Sequence, residues 1–166
     1  MPSRIEMFVS AALVAGLILS GCTTPQQNEM AAVAPSGDGV VRVMSAYSLD
    51  ETVIRLKQDI ASKGIMFFDQ IDQAQLAANA DIQLRPSTLL IFGNPPLGTQ
   101  FVTANPNAGL DWPVRLLVSQ DADGTVWAIY TDFDYIKRRH GITDRDAQFA
   151  MASEVIESIT ASVKSE

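Results

Sequence analysis

The chain has 166 residues, 47% of them hydrophobic, 19% charged and 7% aromatic, with a formal net charge of −7 at pH 7. That length suits one folded domain, its apolar share can build a core, and so modest a charge excludes a disordered chain. An acidic protein repels phosphate backbones, so nucleic acid is not an expected partner.

The chain opens on a thin positive region at Arg4, weakened by Glu6, and an apolar run over 7–19 interrupted by Ser10. The run is too short to cross a bilayer comfortably and has the proportions of a signal segment. It closes on Leu19-Ser20-Gly21-Cys22, which resembles the lipobox of bacterial lipoproteins. The resemblance implies a signal peptide over 1–21, cleavage before Cys22, a lipid thioether on its sulfur and acylation of the new amino terminus. Several acyl chains anchor stably where one alone is marginal. An ordinary secretory leader with a chance cysteine is the alternative. Thr23 follows, where an Asp would suggest retention at the inner membrane, so the expected address is the periplasmic face of the outer membrane in the bacterial envelope. Cys22 is the only cysteine, which excludes an intramolecular disulfide and, once it is lipidated, thiol catalysis and thiolate zinc. Residues 22–39 are small and polar, with prolines at 25 and 35 and glycines at 37 and 39. This reads as a flexible tether of about 20–25 Å root-mean-square span.

The domain proper begins at residue 40. Residues 40–45 are β-branched and read as a strand. Ser48 and Glu51 form a capping box, followed by Leu49, Val53, Leu56 and Ile60 at helical spacing and by Gly64 at the C-terminal cap. Residues 65–71 read as a second strand, 72–79 as a short alanine-rich helix, and 87–92 as a third strand. That strand runs into Gly93-Asn94-Pro95-Pro96-Leu97-Gly98-Thr99 and then Gly109-Leu110-Asp111-Trp112-Pro113. Glycine and proline fix backbone shape tightly, so this stretch is expected to form a special surface, with Asn94 capping its own turn and Thr99 capping a helical turn through Ala104. Strands over 114–119 and 126–131 follow, joined by a tight turn at Asp123-Gly124. A short helix over 134–140 ends at Gly141, and a second capping box, Thr143 to Asp146, opens a last helix with Phe149, Ala152, Val155, Ile156, Ile159 and Val163 on one face. The expected fold is α+β: a single two-layer domain over 40–166, a mainly antiparallel sheet of about five strands and two main helices in the order β-α-β-β-β-β-α, with short helical turns besides.

Chemistry is harder to place. Asp121-Ala122-Asp123-Gly124 lacks the Glu of a calcium loop, since Tyr130 stands there, and reads as a hairpin turn. His140 is the only histidine. It follows Lys137, Arg138 and Arg139 at a helix C-terminus, where positive charge complements the dipole, and the group reads as a solvated face. No Gly-x-Ser-x-Gly elbow or P-loop is present, and no metal or cofactor is expected. Among Asp69, Asp72, Asp111, Asp132 and Asp134, spacing does not show which meet. The sharper reading of 93–113 has exposed amides at 93–99 framing a small pocket with Arg115 or Asp111; the alternative is a structural crossover.

The motifs Phe92-Gly93-Asn94-Pro95, Gly98-Thr99 and Gly109-Leu110-Asp111-Trp112-Pro113 resemble those of the domain-of-unknown-function family numbered 302, over about 40–163. The resemblance implies a compact α/β domain, often a homodimer, with no established reaction. One departure is Gln73, where the family usually has a histidine after the aspartate, here Asp72; a function that needs that histidine would be missing. The candidate pocket is therefore Asp72, Gly93, Asn94, Pro95, Gly98, Thr99, Asp111 and Arg115. Three readings stay open: a non-catalytic domain binding a small ligand or partner, as a homodimer; an enzyme using Asp72, Asn94, Thr99, Asp111 or Arg115; and a structural or stress protein of the envelope. Converging buried polar groups around Asn94 would favour the first two, and a pocket filled by Leu97, Phe101 and Trp112 the third.

Overall fold

The structure, a computed structural model, describes residues 37–164; the lipobox and the tether up to residue 36 lie outside them. Five strands form one antiparallel sheet in the order β1-β5-β4-β3-β2, with β1 Val40–Met44, β2 Met66–Asp72, β3 Ser87–Gly93, β4 Val114–Gln120 and β5 Val126–Thr131. Gly39, expected as tether, already belongs to the domain: it is buried, its carbonyl accepts from the Asp132 amide at 2.8 Å, and Tyr135 packs where its side chain would be.

The strands alternate as a half-covered sheet should. In β5, Val126, Ala128 and Tyr130 are buried while Trp127, Ile129 and Thr131 are half-exposed. The buried set meets Val41 and Val43, Leu116 and Val118, and Leu90 and Phe92 from the neighbouring strands. Helix α1 (Leu49–Ser62) lies over this face through Val53, Leu56 and Ile60, and α5 (Asp146–Ala161) through Phe149, Ala152, Ile156 and Ile159. Burial raises the Tyr130 hydroxyl to about 12, with Glu157 and Asp132 adding negative potential.

Ser48 caps α1 as expected, accepting from the Glu51 amide at 3.4 Å. The second capping box does not form: α5 starts after Arg145, which makes no side-chain cap, and Asp144 pairs with Arg145 instead. Gly141 at φ +60° and the buried Ile142 turn the chain inward before the helix, so the box residues are spent on the turn. The 121–125 turn is a hairpin with Gly124 at φ +91°, and hydrogen bonds from Thr125 hold the Asp123 carboxyl below the usual carboxylate range.

No described element covers the opposite face of the sheet. There Ile129, Leu117, Leu89 and Ile71 lie side by side across four strands, with Ile91 one row away, all half-buried.

A candidate functional site at the 93–113 crossover

Where a fixed loop followed by a helical turn from Thr99 to Ala104 was expected, the structure has one helix that starts at Pro95. Asn94 caps α3 (Pro95–Ala104), with the amides of Leu97 and Gly98 bonded to its carbonyl at 3.0 and 2.8 Å. Pro95 and Pro96 occupy the first turn, where a missing N–H costs nothing. This corrects two expectations. The amides of Leu97 and Gly98 are used by the helix rather than exposed. Thr99 is not a cap; its hydroxyl donates back to the Pro95 carbonyl at 2.7 Å.

The glycines have a second task. A Cβ on Gly98 would stand 1.7 Å from Trp112 Nε1, and one on Gly93 3.1 Å from the same atom. The indole lies flat against both backbones, edged by Phe68 with ring centroids 6.3 Å apart. Beneath it, Phe92, Leu97, Phe101 and Phe133 enclose an apolar cavity of about 40 Å³, room for a water or two and not for a metabolite. The space at Asn94 is thus filled by the residues that favour a structural reading of that spot.

Buried polar groups converge elsewhere. A short 3₁₀ turn at Pro106–Leu110, capped by Asn105, delivers Asp111 to the end of β4. The Asp111 side chain is 3% exposed and that of His140 5%, with His140 Nε2 2.6 Å from Asp111 Oδ2. Arg139 Nη1 lies 3.2 Å from both carboxylate oxygens, and Arg115 Nη2 lies 3.0 Å from Oδ1 and 2.7 Å from the Leu110 carbonyl. Facing two guanidiniums the carboxylate accepts, so Nε2 carries the proton and donates it. The Asn105 amide donates to the His140 carbonyl at 2.8 Å, tying the same segments together again. The reading of 137–140 as one solvated face is corrected: His140 and Arg139 close on Asp111, and Lys137 pairs with Asp146. A buried His–Asp pair between residues 29 apart leaves no periodic trace in sequence.

The eight residues singled out from sequence therefore fall in three places. Gly93, Asn94, Pro95, Gly98 and Thr99 build α3 and the seat of Trp112. Asp111 and Arg115 join the His140 cluster. Asp72 stands apart, capping α2 (Gln73–Ala78) by accepting from the Gln75 amide at 2.9 Å. It lines a groove between α1 and the β2–β3 edge. Gln73, in the histidine's place, accepts from the Ser87 hydroxyl at 2.7 Å and pins α2 to β3. Among the described residues no group of three or more His, Cys, Asp or Glu is placed to hold a metal ion.

Residues 41–165 match the family described as "Domain of unknown function DUF302". The chain belongs to the DUF302 family. Its DUF302 domain resembles the crystal structure of an uncharacterized conserved DUF302 protein from Bacillus stearothermophilus, with a TM-score of 0.69 at 16% identity, covering 76% of this chain and 98% of that one. At that identity the likeness speaks for the fold alone. Among curated proteins, the chain is 35% identical over 113 residues to the protein named fluoride-specific ion channel FluC 1 of Brucella suis biovar 1 (strain 1330), covering 68% of this chain and 44% of that protein. The protein named fluoride-specific ion channel FluC 2 of Brucella melitensis biotype 1 is also 35% identical over 113 residues, which cover 41% of its length. The chain thus spans less than half the length of the curated relatives it matches. No described helix is long and apolar enough to cross a membrane.

Proposed function

We propose that the protein is a lipid-anchored DUF302 domain of the bacterial envelope, held through Cys22 at the periplasmic face of the outer membrane, that works by binding rather than catalysis and does so as a homodimer. The uncovered sheet face carries this reading. Its apolar rows would rest on a second sheet about 10 Å away. Five strands at about 4.8 Å spacing make a face roughly 20 Å across, at the small end of stable dimer footprints.

Two further observations support a second copy as the occupant. Arg42 lies over the Trp127 ring at 4.4 Å on this face, and both Arg42 Nε and Trp127 Nε1 are buried without a partner among the described residues. An acceptor brought by a partner would relieve a cost of about 1–3 kcal/mol for each donor. Arg42, whose Nη2 is held by Asp121 at 2.9 Å while its Nε stays unpartnered, sits on edge strand β1, and Asp69, an exposed carboxylate opposite Ile91 in the ladder, sits on the opposite edge strand β2. A two-fold axis along the strands lays β1 of one copy over β2 of the other, bringing those charges within reach of each other. The saturation of the Asp111 carboxylate favours binding over catalysis, since a group already accepting from two guanidiniums and an imidazole N–H is poorly placed to take a proton.

Wild-type full-length protein in mild detergent is expected to sediment as a dimer at micromolar concentration. Leu117→Lys, at the centre of the face, should sediment as a monomer with an unchanged circular dichroism spectrum, whereas Leu110→Lys, exposed and off the face, should stay dimeric. A monomeric wild type would end the dimer reading. It would favour a second one, supported by the channel-named relatives, in which this face meets a membrane protein. Incorporation of a labelled fatty acid tests the anchor separately: label should enter the wild type and be lost in Cys22→Ser, and retention of label in that variant would refute it.

A further inference from the structure

Beyond the sheet face, a groove between α1, β2, α2 and the start of β3 has a volume of about 660 Å³. That is a ligand-sized space, against about 40 Å³ under Trp112 and about 10 Å³ beside Asp111. Its wall is apolar where Val53, Ile54 and Leu84 line it, and polar groups of opposite sign face each other along β2.

At one end stands Lys57. Its ammonium donates to Gln70 Oε1 at 3.0 Å and carries two more N–H groups. At the other end stands Asp72, whose Oδ1 caps α2 by accepting from the Gln75 amide and whose Oδ2 has no hydrogen-bond partner among the described residues. Gln70 and Asp72 are two residues apart on the same side of β2, about 6.5–7 Å along the strand, and Lys57 stands beyond the Gln70 end. Directly across from Asp72 in the ladder is Thr88. Thr88 is only 5% exposed, lines the groove, and its hydroxyl has no hydrogen-bond partner among the described residues. A hydroxyl so placed beside an open carboxylate oxygen makes a pair of acceptors waiting for one donor.

We infer that this groove binds a free amino acid with an apolar side chain: its ammonium between Asp72 and Thr88, its carboxylate on Lys57, and its side chain on Val53, Ile54 and Leu84. The chemistry selects the class: a zwitterion offers an ammonium to the carboxylate and hydroxyl of Asp72 and Thr88 and a carboxylate to the Lys57 ammonium, each through a charge-assisted hydrogen bond, while the apolar wall takes the side chain. The inference rests on the binding reading above but uses a different face, so the two can fail independently.

Calorimetric titration of full-length detergent-solubilised protein with L-leucine tests it, with two fragments of the same molecule as controls. L-leucine should bind with a millimolar or tighter dissociation constant. 3-Methylbutylamine, which lacks the carboxylate, and 4-methylpentanoate, which lacks the ammonium, should each bind at least about tenfold more weakly. Thr88→Val keeps the shape and β-propensity of the side chain, and Lys57→Met keeps its stem over Phe67; each should weaken L-leucine by about tenfold with an unchanged melting temperature. Asp72 is left intact because it caps α2. Leu117→Lys should bind L-leucine as the wild type does, whatever its oligomeric state. No heat with L-leucine up to about 10 mM, fragments that bind as well as the whole, or full affinity in both variants would each overturn the assignment.

Discussion

Asp111→Ala should lower the unfolding free energy by about 3 kcal/mol, read as a fall in the urea midpoint at an unchanged slope. Removing one partner of a buried ionic group costs about 3–5 kcal/mol because the other is left uncompensated. The geometry sets this case at the low end of that range. Arg115 and Arg139 are about half-exposed, 50% and 46%, and can turn to water once the carboxylate is gone. His140 cannot, since its side chain is 5% exposed and its donor would stay buried without an acceptor. The same reasoning ranks the partners. Arg115→Met should cost only about 1 kcal/mol, as an exposed pair does, and His140→Phe should cost less than Asp111→Ala because it removes the trapped donor instead of stranding it. Asp111→Asn, which keeps the volume and one acceptor, should fall between. A loss below about 1 kcal/mol for Asp111→Ala would mean that the cluster does not fasten the 105–113 segment to the end of α4 (Phe133–Arg139), and the assignment of the motif aspartate as a structural latch would be wrong.

Elements whose cause is local could be read from the chain. Ser48 and Glu51 are three residues apart, and the α1 stripe repeats within one helix. The β-branched and aromatic run of β5 marks a strand within six consecutive residues, although which of its apolar side chains face the core is decided only by the fold. Helix α3 was hidden because two prolines and Gly98 argue against a helix when each is weighed alone. Yet Asn94 ahead of Pro95-Pro96 is a helix start, and Leu97, Phe101 and Ala104 follow at helical spacing. The Asp111–His140 pair and the β1–β5 pairing join distant parts of the chain, and neither leaves a pattern in the residues between. Burial decides both, and burial belongs to the folded molecule. The groove shows the same division. Asp72 is legible as the first residue of the short helix expected over 72–79, whereas Lys57 and Thr88 become its neighbours only when α1 lies across the β2–β3 edge.

Gly98→Ala sets two physical effects against each other. Helix propensity favours alanine over glycine by about 1 kcal/mol inside a helix, and Gly98 lies within α3. On that count the variant is more stable. The packing says the reverse, because the new methyl would sit 1.7 Å from Trp112 Nε1 and 2.2 Å from two of the ring carbons. Nothing short of moving the indole relieves this, and the indole is the lid of the cavity under α3 and the neighbour of Phe68. Overpacking of this kind costs about 1–3 kcal/mol, and loss of the indole's seat puts the expected net effect at about 2 kcal/mol of destabilisation. Gly93→Ala, with its nearest approach at 3.1 Å, should cost less. The decisive measurement is the sign in a second background. In Trp112→Ala the obstacle is absent, so Gly98→Ala should there become stabilising by up to about 1 kcal/mol, leaving the helix propensity alone. Destabilisation of the same size in both backgrounds would place the reason for the glycine in the helix backbone and not under the tryptophan.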